Sequence, residues 1–119
     1  HADVLFVLMS ALLDKLRRAR EFKVQAAGFT FTILRPTDVD YLELAGQKTA
    51  RAILPFIIGW EGVTEGDIIP GGDPHPLPFD GEACREWLLD RMDILPALID
   101  AFIKAHEAHV EARANAEKK

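Results

Sequence analysis

The sequence predicts an α+β fold dominated by helices: an N-terminal helix and a β-hairpin, followed by about four helices with a Gly/Pro-rich central loop. Three observations predict this class. Apolar residues recur at helical spacing near both ends of the chain, Phe22–Leu34 alternates apolar and polar residues, and Gly59–Phe79 is dense in helix breakers. Helices and a hairpin in separate stretches are typical of α+β domains.

The composition narrows the class of protein. The chain has 119 residues, of which 49% are hydrophobic and 28% are charged, as in globular domains. A single cysteine excludes both an internal disulfide and a zinc knuckle. The longest apolar runs, Val4–Met9 and Ile53–Ile58, fall far short of the roughly 20 residues that a membrane span requires. We therefore predict a soluble, intracellular protein with no membrane partner.

The formal charge of −5 is divided unevenly along the chain. Residues 1–36 carry +3 and residues 37–119 carry −8. A nucleic-acid-binding protein needs a basic footprint because phosphate contacts dominate its affinity, and only one short basic segment is present. Opposite charges on two parts of a chain favour contact between copies, or with a second protein. We therefore expect self-association and no nucleic-acid partner.

The first element is a helix that begins at Ser10. His1–Leu8 is mostly apolar without the basic leader of a signal peptide, and Met9-Ser10 resembles a native start. We therefore interpret residues 1–9 as a vector-derived or upstream extension, residues 10–115 as a single domain and residues 116–119 as a frayed tail. Ser10 can cap a helix, and Leu12, Leu13 and Leu16 share one face of it.

The second element is the hairpin. Phe22 and Val24 alternate with polar residues, as do Phe29, Phe31 and Ile33, and Ala26-Ala27-Gly28 forms a short turn between the two runs. An isolated hairpin is marginally stable, so this one must pack on helices or pair with another strand, from this chain or from another subunit.

Two helical segments are predicted after the hairpin. Thr37-Asp38-Val39-Asp40 fits a capping box and begins a helix that Gly46 weakens. A second helical segment, Thr49–Ile58, is apolar nearly all round. It is either part of the core or a contact surface.

The C-terminal half begins with the loop Gly59–Phe79, whose length is typical of functional or mobile loops. Asp80 is predicted to cap a helix that ends near Met92, with Phe79 placed as a hydrophobic staple toward Cys84. Asp93 is predicted to cap the last helix, with Pro96 in its first turn. Helical spacing gives that helix one apolar face, formed by Leu95, Leu98, Ile99, Phe102, His106, His109 and Val110.

Few residues could carry catalysis. His106 and His109 are spaced i, i+3, one residue short of the H-E-x-x-H signature, and a catalytic metal also needs a third ligand. We favour the interpretation that they extend the apolar face of the last helix. Cys84 is interpreted as a small buried hydrophobe, because a nucleophile needs a base and oxyanion donors around it. We predict no catalytic residue, no metal and no cofactor.

Two further groups of residues are open to two interpretations each. Arg17, Arg18 and Arg20 are either a solvated helix face, which we favour, or a small nucleic-acid patch. The aromatic and apolar residues around the loop are either ordinary core or a hydrophobic groove that receives an amphipathic helix. The candidate partner-binding residues of such a groove are Trp60, Phe79, Trp87, Phe56 and Ile57.

Three short motifs and one tryptophan carry a family resemblance. They are Arg35-Pro36-Thr37-Asp38, Gly59-Trp60-Glu61-Gly62-Val63, Pro76-Leu77-Pro78-Phe79-Asp80 and, behind them, Trp87. Over about residues 20–105 their order and spacing resemble the tail assembly chaperones of long-tailed bacteriophages and prophages. The resemblance implies a non-enzymatic, helix-rich protein that self-associates, coats the tape measure protein and helps to recruit subunits of the major tail tube protein.

The resemblance also implies a protein that acts in the cytoplasm of the bacterial host and is absent from the mature virion. Two alternatives from other classes stay open. One is a small metal-dependent enzyme that uses His106 and His109, and the other is a nucleic-acid-binding regulator that uses Arg17, Arg18 and Arg20.

Overall fold

In a computed structural model of the chain, residues 2–45 and 50–118 are described, the first eight of them by their backbone alone. Gly46 and Thr49, named above, lie outside the described residues. The described part contains helices α1 to α5, one 3-10 helix and strands β1 to β3, which confirms the helix-dominated α+β class. In chain order they are α1 Ala2–Ala19, β1 Glu21–Ala26, β2 Phe29–Leu34, α2 Asp38–Leu44, the 3-10 helix Ala50–Phe56, β3 Ile57–Glu61, α3 Glu65–Ile68, α4 Gly81–Leu89 and α5 Leu95–Glu117.

The predicted hairpin is confirmed. β1 and β2 pair antiparallel from Glu21 opposite Leu34 to Ala26 opposite Phe29. The two turn residues, Ala27 and Gly28, both have positive φ, at 52° and 85°. Such a turn matches the right-handed twist of the flanking strands, which explains why two residues suffice to connect them.

The prediction of a helical segment over Thr49–Ile58 is wrong for most of its described residues in the type of structure they form. Ala50–Phe56 is a 3-10 helix, and Ile57–Glu61 is a strand that pairs antiparallel with β2, with Trp60 opposite Phe31. Pro55 has no N–H to donate, so it does not suit a regular α-helix, and the β-branched pair that follows it suits a strand. The hairpin therefore gains its third strand from the same chain, in the order β1-β2-β3.

The start of the first helix also differs from the prediction. α1 begins at Ala2 and passes through Ser10, which is therefore inside the helix instead of capping it. Nine residues that we set apart as an extension thus include part of this helix. An apolar stretch without Gly or Pro can continue a helix once one has formed, because propagation costs less than nucleation.

The helix caps give a mixed result. Thr37 and Asp40 form the predicted capping box, with Thr37 Oγ1 accepting from the Asp40 N–H at 3.1 Å. Asp80 caps α4 as predicted, although α4 ends at Leu89, short of Met92. The prediction for Asp93 is wrong, because the cap residue of α5 is Ile94, without a side-chain hydrogen bond. Asp93 instead accepts two hydrogen bonds from Arg91.

The hydrophobic core lies between the sheet and the two C-terminal helices. α4 contacts β3 and the 3-10 helix, while α5 contacts β1 and the 3-10 helix. The fully buried side chains come from both layers and include Phe31, Ile33, Leu88, Ile94, Leu95 and Leu98. Burial of each such side chain stabilises the fold by about 1.5–3 kcal/mol. The sheet and these helices thus form the scaffold on which the candidate site is built.

Candidate functional site

The tryptophan motif and the Pro-Leu-Pro-Phe motif lie against each other in the structure. The indole N–H of Trp60, on β3, donates to the carbonyl oxygen of Leu77 at 2.9 Å. The Leu77 N–H in turn donates to the Val63 carbonyl at 2.8 Å, and Thr64 forms a β-bridge with Pro76. Residues 64–76 therefore leave the body and return to it as a closed loop.

We predicted an irregular loop over Gly59–Phe79, but Gly59–Glu61 belong to β3 and a short helix forms within the closed loop. Its first residue, Thr64, caps the short helix α3 in a second capping box with Asp67. The Thr-x-x-Asp spacing was present in the sequence and could have predicted this turn of helix. Gly72 then passes so close to Glu65 that an added Cβ would lie 2.8 Å from the Glu65 carbonyl carbon. The loop is therefore held by its own backbone contacts.

An aromatic cluster lies behind the closed loop. The ring of Trp60 meets Phe79 edge to face at 5.1 Å and Trp87 at 6.1 Å between centroids. Phe29 meets Trp87 in the same way at 5.2 Å, and the guanidinium of Arg91 lies 5.5 Å from the Trp87 ring. Edge-to-face contacts at these distances are favourable, so the cluster stabilises the corner between sheet and loop.

The cluster is mostly closed to solvent. Trp60 is 8% exposed and Trp87 is 6% exposed, while Phe79 is half-buried. A shallow groove of about 340 Å³ opens at its edge, lined by Trp60, Leu77, Pro78, Phe79, Asp80 and Ala83. The structure thus brings three of the predicted residues together, with two of them, Trp60 and Phe79, at the groove and Trp87 behind it.

The other two predicted partner-binding residues lie outside this groove. Phe56 packs edge to face on Phe102 of α5 at 5.0 Å, and Ile57 is only 4% exposed, opposite Ile33 in the sheet. Phe56 thus lies against α5, and Ile57 is a buried residue of the sheet itself. The alternative in which the Ile53–Ile58 segment belongs to the core therefore describes Ile57 well.

A second exposed apolar surface lies on α1, where we did not predict a binding site. Leu12, Leu13 and Leu16 are 59%, 46% and 57% exposed, and we refer to these three residues as the leucine stripe. α1 has little contact with the sheet or with the other described elements, and the described chain reaches 53 Å along its longest axis. The helical spacing was visible in the sequence. The separation of α1 from the core was not.

The histidines lie at a different corner, between α2 and α5. His106 is 7% exposed and stacks on Tyr41, with 4.0 Å between ring centroids, and its Nε2 lies 4.0 Å from Asp38 Oδ1. Within the described residues, no group of three or more His, Cys, Asp or Glu side chains is arranged to hold a metal ion. His109 is half-buried, and burial followed by the charge of Arg35 lowers its pKa.

Cys84 and the basic cluster have clear positions. Cys84 is 1% exposed, and burial raises the pKa of its thiol to about 12, so it is protonated at neutral pH as a small core residue. Arg17 and Arg18 are exposed in the last turn of α1. Arg20 turns inward and pairs with Asp40 at 3.5 Å.

In the part of the chain that the structure describes, no helix has the combination of length and hydropathy needed to cross a membrane. Comparison of the chain with protein-family models, with curated proteins and with solved structures finds no match.

Proposed function

We propose that this chain is a non-enzymatic phage tail assembly chaperone that binds and coats the tape measure protein during tail assembly. The motif resemblance supplies the identity of the client. The observation that carries the proposal is the leucine stripe, because it gives the chain an exposed apolar helix face suited to a long, helical, apolar client.

The leucine stripe needs a partner on physical grounds. α1 has 18 residues and little contact with the rest of the described chain. Most of the stability of a helix in a protein comes from the packing of its amphipathic face and not from intrinsic helix propensity. A client helix laid along the stripe would cover the three leucines and stabilise α1 at the same time. A coat built from many such contacts needs no catalytic group.

The aromatic groove is a second, smaller apolar surface in this proposal. Among the three aromatic residues predicted to bind a partner here, the accessible one is the half-buried Phe79, since Trp60 is tied to Leu77 and Trp87 is enclosed. We therefore assign client contact to the leucine stripe and Phe79, and assign the two tryptophans to the stability of the fold. Recruitment of the major tail tube protein, self-association and action in the host cytoplasm before the virion matures belong to the same proposal.

The test is binding of the full chain to fragments of the tape measure protein encoded in the same phage or prophage genome. The test variant changes all three leucines of the stripe to serine. Because burial of one leucine contributes about 1.5–3 kcal/mol, we expect the affinity to fall at least about 100-fold. The matched control changes Ile69 and Met92 to serine; these are 58% and 70% exposed on other surfaces, and affinity should stay unchanged.

Two results would contradict the proposal. If no tape measure fragment binds the wild-type chain, the chaperone function is wrong. If the stripe variant is folded by circular dichroism and binds like the control, the stripe is not the client surface. Stoichiometric zinc that is lost in His106→Ala would instead support the metal-enzyme alternative. Salt-dependent DNA binding at physiological ionic strength would support the regulator alternative.

A further inference from the structure

Three arginines from distant parts of the sequence meet near the end of α1. Arg20 Nε donates to the Arg35 carbonyl at 3.0 Å. Burial and then the charge of Arg20 lower the pKa of the Arg35 guanidinium, with Arg113 acting more weakly in the same direction and Asp38 opposing them. We refer to Arg20, Arg35 and Arg113 as the arginine corner. Three guanidinium groups and the carboxylates of Asp38 and Asp40 thus lie together, with an excess of positive charge, on a chain of formal charge −5.

The two carboxylates at the arginine corner are already engaged. Asp38 Oδ2 accepts from Arg113 NH1 at 2.8 Å. Asp40 Oδ2 accepts from the Thr37 N–H at 3.0 Å within the capping box, and lies 3.5 Å from Arg20 NH2. These contacts join α2 to α5 and to Arg20, the residue between α1 and β1.

Arg35 has unused hydrogen-bonding capacity. Its guanidinium donates once, from NH1 to the neighbouring Pro36 carbonyl at 2.8 Å, and no carboxylate among the described side chains pairs with it. A guanidinium carries five N–H donors in a planar fork. A half-buried arginine beside two others, without an acid of its own, would be stabilised by an added anion.

A second polar group in the same region also lacks a partner. His106 is more than nine-tenths buried, and within the described part of the chain its Nδ1 makes no hydrogen bond. It touches the same Asp38 that binds Arg113. Buried polar nitrogens are normally paired, so this region is not fully satisfied by the groups of the chain itself.

We propose that the arginine corner binds a carboxylate, supplied by an acidic side chain of the helical client that α1 holds. This rests on the proposed function, because the leucine stripe ends next to the corner: Leu16 lies one turn from the end of α1 at Ala19, and Arg20 follows. The client surface is then an apolar stripe with a basic end. It selects amphipathic helices that carry aspartate or glutamate beside their apolar face.

A protein carboxylate fits this corner better than a nucleic acid does. Asp38 and Asp40 stand within it, and the residues after 36 carry −8, so a polyanion would meet repulsion along most of the chain. A single carboxylate needs only one guanidinium fork, which it matches with two parallel hydrogen bonds.

The experiment uses the full chain and two synthetic amphipathic peptides of about 20 residues, a length of roughly 30 Å as a helix. Both peptides have the same apolar face of leucines. One peptide carries glutamate near each end and the other carries glutamine there, so that this side chain reaches the arginine corner in either orientation of the peptide. By fluorescence anisotropy, we expect the wild-type chain to bind the glutamate peptide about tenfold more tightly, as one charge-assisted bond allows. Arg35→Gln should remove this preference, whereas Arg85→Gln, at an exposed arginine on α4, should keep it.

A second measurement tests the corner without the client. Acetate added at constant pH should give saturable shifts of the NMR signals of the His106 and His109 rings, and these should be absent from Arg35→Gln. If the acetate shifts occur but neither peptide binds, the corner stands and the client hypothesis fails. If the two peptides bind the wild-type chain equally, the carboxylate site is wrong and the chaperone function stands. If duplex DNA displaces the peptide from the wild-type chain but not from Arg35→Gln, the corner binds nucleic acid and the proposal is overturned.

Discussion

Replacement of Trp60 by alanine should remove a large share of the stability of the fold. The side chain is 8% exposed, contacts the rings of Phe79 and Trp87, and donates its indole N–H to the Leu77 carbonyl at 2.9 Å. Loss of a buried tryptophan costs about 3–5 kcal/mol. Since domains of this size are stable by about 5–15 kcal/mol, the change removes a large share of the free energy of unfolding.

The assay is urea unfolding followed by far-UV circular dichroism, with a companion variant that isolates the hydrogen bond. Trp60→Phe keeps most of the ring contacts but leaves the Leu77 carbonyl without its donor, for an expected loss of about 1–3 kcal/mol. Ile69→Ala is the control, because the Ile69 side chain is 58% exposed. This substitution should change the free energy of unfolding by no more than about 0.5 kcal/mol.

One result would refute the reasoning about Trp60. If Trp60→Ala unfolds at the same urea concentration as the control, the contacts described here do not hold the closed loop to the sheet. If Trp60→Ala is also stable and loses client binding, Trp60 is a contact residue of the groove. A Trp60→Phe variant that loses about 1–3 kcal/mol of stability and keeps client binding would support our assignment of Trp60 to the fold.

Two further predictions follow from local geometry and charge. Ala27→Asn should raise the free energy of unfolding by about 0.5–1 kcal/mol in the same urea assay, because Ala27 has a φ of 52°, a left-handed conformation that asparagine adopts more readily. Stability should fall on acidification in two windows. Below about pH 6.5, the ordinary pKa of histidine, His109 binds a proton in the unfolded chain more readily than in the folded chain, because its pKa is lowered by folding. Below about pH 3.9 the same is true of Asp38, whose pKa in the folded chain is lowered by the hydrogen bond from Arg113. Thermal unfolding between pH 3 and pH 8 that shows no loss in either window, or no change in slope in His109→Gln, would contradict this.

Most of the correct predictions about the fold came from patterns formed by residues that lie close together in the sequence. The hairpin follows from a period of two on both sides of an Ala-Gly turn, and the caps at Thr37 and Asp80 follow from side chains that bond backbone three residues away. Such interactions need no knowledge of the tertiary structure. They were therefore readable in the sequence, and Thr64 would have been as well.

The two errors have different causes. Asp93 could cap α5 by its position, but hydrogen bonds from Arg91, two residues earlier, compete for its carboxylate, so this signal was present in the local sequence. Ile57–Glu61 instead becomes a strand because the free edge of β2, about 27 residues earlier in the chain, accepts it. A window of sequence around Ile57 does not contain that edge, so local sequence could not predict the strand.

The same limit applies to the candidate site. An apolar residue in the sequence serves a core or a contact surface equally well, so Trp60 and Leu16 could not be ranked before their burial was known. Trp60 proved to be enclosed because an acceptor 17 residues away meets its indole N–H, whereas Leu16 is 57% exposed because α1 stands apart. The residues that bear the resemblance were thus easier to notice than the exposed leucines of α1.

The folding role and the binding role should therefore be separable in this chain. The Gly-Trp-Glu-Gly-Val and Pro-Leu-Pro-Phe-Asp motifs contact each other through Trp60, Leu77 and Phe79, so their spacing is constrained by the closure of one loop on one sheet edge. The leucine stripe makes little contact with that unit. A variant that keeps both motifs and loses the stripe should then fold with nearly unchanged stability and fail to bind its client. A variant that lacks Trp60 should be less stable but should still bind its client, with binding reduced only in proportion to the fraction of the chain that is unfolded.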